Sequence, residues 1–184
     1  RPPRFTLFPY TTLFRSVFIM KTNVRKKMDS RAKKREGLRF GRSVFVHRDD
    51  SGVPLNVTIP VKPNLKTPNN PAANSLEDNI GTVSDPWFME GFYTSIIELG
   101  VDGSQFHMRE TNRIENLRHY PYPALAERLG ADLRMDLGAP MKNLEPVRDY
   151  NWTEVRDGVV FERIPHLAPI NAPGTWMLNI AKLK

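Results

Sequence analysis

The densest apolar run in the chain is Ser84 to Gly100, SDPWFMEGFYTSIIELG. At helical spacing Trp87, Phe88, Phe92, Ile96 and Leu99 cover one broad face, with Met89, Tyr93 and Ile97 beside it. A face that wide predicts a central helix wrapped by other elements. Its ends are punctuated: Asp85 can cap the first amides, Pro86 suits the first helical position, and Gly100 suits the left-handed residue that closes a helix.

Elsewhere the period shortens. Val44 to Val46 form an extended run, and Leu55, Val57, Ile59 and Val61 alternate with polar or small partners. Asp49-Asp50-Ser51-Gly52 between them predicts a β-hairpin over Ser43–Lys62, and Pro54 and Pro60 place its second strand at a sheet edge. A Pro- and Asn-rich loop fills 62–75, with two P-x-x-P spacings. Asp102 or Ser104 starts an expected second helix to about Arg118, and Ala124–Leu129 a third, ended by Gly130. Residues 131–146 read as irregular. Tyr150–Arg156 and Val159–Ile164 flank Asp157-Gly158, a two-residue hairpin signal, and 176–181 alternates as a last strand. Strands at both ends with helices between them predict an α+β domain. Its mainly antiparallel sheet, built from the N- and C-terminal hairpins, would pack on the helix over 85–99.

Composition adjusts this picture at the N-terminus. Residues 1–16, RPPRFTLFPYTTLFRS, resemble the in-frame translation of a short-read sequencing-library adapter, departing only at Phe5 where the adapter gives Ser. They are therefore set aside from fold and function as an artefact. The resemblance implies a conceptual translation whose true start is open: Met20 is one candidate, and the frame, open upstream, leaves room for further native residues, a targeting peptide included. No protein family is recognised in residues 17–184.

The formal charge of +7 is unevenly spread. Val17 to Ser43 holds ten basic residues against Asp29 and Glu36, a net of +8, while Val44 to Lys184 holds 14 basic and 18 acidic, a net of −4. This divides the chain into a basic arm, 17–43, and a single domain, 44–184. Thr22 or Asn23 would cap a thin helix in the arm that Gly37 ends, frayed until an anionic surface meets it. The absence of cysteine excludes disulfides, thiolate metal sites and cysteine nucleophiles. No apolar run is long enough to span a bilayer as a helix.

Clustered Lys and Arg neutralise phosphates and release counterions, so the arm points to polyanions without base readout. The residues expected to do this are Lys21, Arg25, Lys26, Lys27, Arg31, Lys33, Lys34, Arg35, Arg39 and Arg42. The leading expectation is a non-enzymatic structural or assembly protein that binds nucleic acid, intracellular or carried in a virion or ribonucleoprotein. Two alternatives stand beside it. One is an accessory subunit of a large complex with the arm docked on acidic protein. The other is a small metal-dependent enzyme using His107, Glu110, Glu115 and His119, whose spacings share a face if that segment is helical. Tyr120 and Tyr122 are weaker candidates for base stacking. No P-loop, G-x-G-x-x-G or G-x-S-x-G occurs, and no cofactor is expected.

Overall fold

A computed structural model describes residues 21–22, 24–25, 27–45, 55–65, 83–111 and 121–180. The element order is α1 (Ser30–Phe45), β1 (Ile59–Lys62), α2 (Pro86–Ile97), β2 (Phe106–Arg109), α3 (Tyr122–Leu129), β3 (Asp132–Arg134), β4 (Tyr150–Glu154), β5 (Arg163–Leu167) and β6 (Leu178–Asn179). The fold mixes helices and strands, as expected, but its main sheet is parallel. Four strands lie in the order β3-β2-β1-β6, and β1 pairs parallel with both β2 and β6. The expected mainly antiparallel sheet is thereby corrected.

Three misread segments account for the difference. Val44 and Phe45 form the last turn of α1 rather than a strand, so β1 has no hairpin partner there. Residues 46–54, with the expected turn, lie outside the described residues. Second, 106–109 is extended rather than helical. Asp102 does cap, but only a single 3₁₀ turn, Gly103–Gln105. Phe106 and Met108 are buried while His107 and Arg109 turn to the other face, the period of two that marks a strand. The segment 131–136, read as irregular, carries the same alternation: Ala131, Leu133 and Met135 pack on the core, and Asp132 and Arg134 face away.

Pro60 does not put β1 at an edge. Thr58 exchanges main-chain bonds with Gly174 and Trp176, so residue 60, two further on, faces the same side. Its missing N–H is turned towards β6, where pairing shrinks to two residues, and the β2 side stays intact.

The core forms around α2 as its pattern requires. Asp85 accepts from the amides of Trp87 and Phe88 at 3.0 and 3.1 Å, and Gly100 takes φ +100°. Met89, Phe92, Tyr93 and Ile96 are buried, and the Tyr93 ring meets Phe106 of β2 with centroids 5.1 Å apart.

The second wall is α1, and its course was not expected. It begins after Asp29, whose carboxylate accepts from Ala32 N at 2.8 Å, and it runs straight through Gly37. Gly37 and Gly41 lie four apart, on one helical face. A Cβ on Gly37 would sit 1.9 Å from the Phe88 carbonyl oxygen, and one on Gly91 would sit 1.9 Å from that of Lys34. The glycines are thus contact points where the two backbones touch, and Gly37 terminates nothing. Phe40 and Phe45 then reach α2 through Phe88 and Phe92.

The second sheet is the ribbon β4–β5, antiparallel as expected but in a different register. Glu154 pairs with Arg163, so residues 155–162 form the connection. Gly158 N bonds to Val155 O and Asp157 takes φ +57°, closing a turn before Val159. Val159, Val160 and Phe161, expected in the strand, are left exposed at the tip.

Candidate functional site at the carboxyl edge of the sheet

In open parallel sheets, ligands bind beyond the carboxyl ends of the strands, where the loops diverge. Here β1, β2 and β3 end on a row of cations. Lys62 closes β1, and Arg109 and Arg134 are paired in register at the ends of β2 and β3. Immediately beyond them is Glu110, which is 1 % exposed. Its Oε2 accepts from Lys62 Nζ at 3.1 Å, and its Oε1 accepts from Thr111 N at 2.7 Å and Thr111 Oγ1 at 3.2 Å. Lys62 Nζ also donates to the Pro63 carbonyl at 2.7 Å. A buried carboxylate is tolerable only with such partners.

The loop after β3 folds back over this point. Leu137 N bonds to Glu110 O and Gly138 N to Thr111 O, at 3.3 and 3.1 Å. Gly138 fits because a Cβ there would lie 2.8 Å from the Thr111 carbonyl. Between the two loops is a cavity of about 300 Å³ lined by Thr111, Asp136, Gly138, Ala139 and Pro140. Asp136 is the charged residue in that lining, and its φ of +63° turns it out of the strand path. The Thr111 hydroxyl donates to Glu110, which leaves its lone pairs for the cavity. The lining therefore offers acceptors.

The opposite face of the sheet carries a polar knot. Arg109, buried, donates through Nη1 to the carbonyls of Met108 and Asp132, and through Nη2 to Asp132 Oδ2 at 2.6 Å. The same Nη2 lies 2.9 Å from His107 Nδ1. Burial and the neighbouring Arg109 guanidinium hold the His107 pKa below its ordinary value, against the pull of Asp132. The neutral ring thus accepts from Arg109 at Nδ1. Burial raises the Asp132 pKa, but the Arg109 bond and charge outweigh it and the net shift is downward. Arg109 Nε reaches the Ala168 carbonyl, and Arg134 pairs with Asp149, so this knot ties the ribbon segment to the sheet.

The residues expected from the sequence fall into separate places. On the extended β2 backbone, His107 and Glu110 serve opposite sides, so their expected helical alignment is corrected. Glu115 and His119 lie outside the described residues. Among the described residues no three His, Cys, Asp or Glu side chains come together as a metal site. Tyr122 is fully buried and donates to the Ser84 carbonyl at 2.6 Å, so its ring is closed to bases.

The basic segment divides by direction. Lys33 is buried against Asp85, with Nζ and Oδ2 3.0 Å apart, an ion pair whose angles fall outside a hydrogen bond. Lys34 reaches Glu90 at 2.8 Å, and Glu90 also takes Arg128 at 2.9 Å. Arg42 makes two bonds to Glu98, both at 2.8 Å, and Arg39 pairs with Glu36 on its own helix. Lys21, Arg25, Lys27, Arg31 and Arg35 are exposed and ion-pair with none of the described residues. The side chain of Lys26 lies outside the described residues, as do 1–20 with the adapter-like stretch and 66–82 with most of the Pro- and Asn-rich loop.

Sequence reasoning missed Lys62, Thr111 and Asp136. The available signal was the alternation in FHMRE and ADLRMD, which marks two strands ending at the same level.

No family model, curated protein or solved structure matches the chain.

Proposed function

We propose that the chain is a small-molecule-binding α/β domain whose ligand sits beyond the carboxyl ends of β1, β2 and β3. The observation that carries this reading is the buried Glu110, fixed by Lys62 and Thr111, directly beside the cavity lined by Thr111 and Asp136. A volume of about 300 Å³ is at the small end for ligand sites, which favours a compact metabolite. Asp136 and the Thr111 oxygen favour a ligand that donates hydrogen bonds, an amine or a polyol. Ligand-observed saturation-transfer NMR with ethanolamine and erythritol as probes tests it. Transfer is expected to the intact chain and to fall at least tenfold in Asp136→Asn, which keeps the left-handed backbone position that Asn tolerates. No transfer, or transfer unchanged by D136N, defeats the reading.

A second reading is favoured by the outward cations. Arg31 and Arg35 are exposed on α1, which docks on α2, and Lys21, Arg25 and Lys27 are exposed in the segment that leads into it. We propose a salt-sensitive contact of this face with nucleic acid, made by an ordered helix face rather than by a loose tail. Anisotropy with a labelled oligonucleotide would show affinity falling steeply with salt. Arg31→Ala with Arg35→Ala should flatten that slope, and Arg42→Ala should leave it alone.

A further inference from the structure

The ribbon β4–β5 has two sides, and only one is finished. Ala168 N bonds to Asp149 O and Val155 N to Glu162 O, which sets the parity of the ladder between them. Asn151 and Thr153 therefore bond inward to His166 and Ile164, while Trp152 and Glu154 turn their N–H and C=O groups outward. None of the described residues bonds to those outward groups. On the other side, residues 163 and 165 face out, and Pro165 has no N–H to offer. The Tyr150 carbonyl, which also faces out, is taken by Val147 N, so the ribbon has one edge, β4, open at residues 152 and 154, and one blunted edge, β5.

The face that adjoins the open edge is also incomplete. Trp152, Glu154 and the cross-strand Arg163 share that face. Arg163 sits in register with Glu154 yet stacks over the Trp152 ring instead, 4.2 Å from its centroid. Glu154 is exposed and ion-pairs with none of the described residues. Trp152 remains 40 % exposed, and the tip beyond it presents Val159, Val160 and Phe161 to water.

We infer that the β4 edge pairs with the β4 edge of a second copy of this chain, giving a continuous sheet β5-β4-β4-β5. A two-fold axis through Thr153 sets Trp152 of each copy opposite Glu154 of the other. That register uses the outward N–H and C=O of both residues in both copies, because 152 and 154 have the same parity. It also brings each Glu154 carboxylate to the guanidinium that covers the other copy's Trp152. Glu154 and Arg163 form no ion pair with each other in the ribbon, since Arg163 lies over Trp152, and the two-fold register offers each acid the other copy's guanidinium as well, which favours a second copy over an unrelated partner. The exposed Trp152 ring supplies the apolar part, and pairing covers the edge that is otherwise an aggregation template.

Sedimentation velocity on the full chain over a concentration series tests this, with circular dichroism confirming that each variant folds. The intact chain should pass reversibly from one to two copies. Glu154→Arg sets like charges against each other and should weaken the dimer at least about tenfold. Adding Arg163→Glu restores opposite charges and should recover most of that loss. Trp152→Pro, which removes one outward N–H together with the ring, should leave a monomer. A chain that is monomeric throughout overturns the inference. So does a dimer that E154R leaves untouched, or a double variant no tighter than E154R alone.

Discussion

The pair α1–α2 and the ribbon β4–β5 invert what their sequences advertise. The stretch SRAKKREGLRFGRSVF is dominated by charge, yet α1 buries Lys33, Gly37, Gly41, Val44 and Phe45 against its neighbour. The stretch DGVVF is mostly apolar, yet Val159, Val160 and Phe161 are among the most exposed side chains described. Burial is thus decided by what lies opposite, and only secondarily by polarity. The helix α1 finds backbone-to-backbone contact at its glycines and carboxylates at Asp85, Glu90 and Glu98. The ribbon tip finds no cover among the described residues. Ion pairs at the rim, such as Arg42–Glu98, add little on their own in water. The buried Lys33–Asp85 pair is different, because losing one member strands the other.

The sharpest way to break the comparison is therefore Lys33→Met. The substitution keeps the aliphatic stem but leaves Asp85 buried beside α2 with its ionic partner gone. Removing one member of such a pair costs about 3–5 kcal/mol. Urea unfolding should show that loss as a lower midpoint with an unchanged slope. A loss under about 1 kcal/mol would be an ordinary surface effect, and α1 would then be a detachable arm after all.

Much of this architecture was readable, and the failures have physical causes. The helix around Phe92 announced itself because Asp85, Pro86 and Gly100 act locally, within a turn of the residues they cap. β1 was legible from Ile59 and Val61, but its partners were not, since parallel neighbours come from distant sequence. The apolar pair Phe106 and Met108 and the polar pair His107 and Arg109 alternate over too few residues to outweigh a charged helical reading. Gly37 was read as a stop because glycine usually is one; only the Phe88 carbonyl, distant in sequence, explains why it belongs mid-helix. The same distance hides the fate of the cations. Nothing in the spacing of Lys33, Lys34 and Arg35 says that two turn inward and one outward.

Acid should reach the polar knot that ties the ribbon to the sheet first, and the helix pair second. Burial pushes the Glu90 pKa up, but bonds from Arg128 and Lys34 prevail and hold it below 4.5. His107 lies below 6.5 and Asp132 below 3.8. All three are depressed in the folded chain, so the unfolded chain binds more protons at each as pH falls. Each then contributes stability above its unfolded pKa that is lost on acidification. Melting temperature should decline first below about pH 6.5, as the unfolded state gains His107 protonation. A steeper fall should follow below about pH 4.5 as Glu90 and Asp132 titrate. Glu90→Gln should shallow the second limb and leave the first. If the second limb is unchanged in E90Q, the clasp of Lys34 and Arg128 on Glu90 does not contribute to the fold.

The smallest effect should come from the ribbon tip, and its smallness is the point. Phe161 is 65 % exposed, so Phe161→Ser removes a ring that already sits largely in water. Measured on dilute chain, where copies do not meet, the change should stay within about 0.5 kcal/mol, the range of surface substitutions. A core phenylalanine such as Phe106, with no exposure, would cost about 3–5 kcal/mol when truncated. The contrast between two phenylalanines in one chain measures the inversion directly. A tip variant that costs more than about 1 kcal/mol would mean that Phe161 packs on its own domain in solution, and the ribbon would lose its claim to be an unpartnered surface.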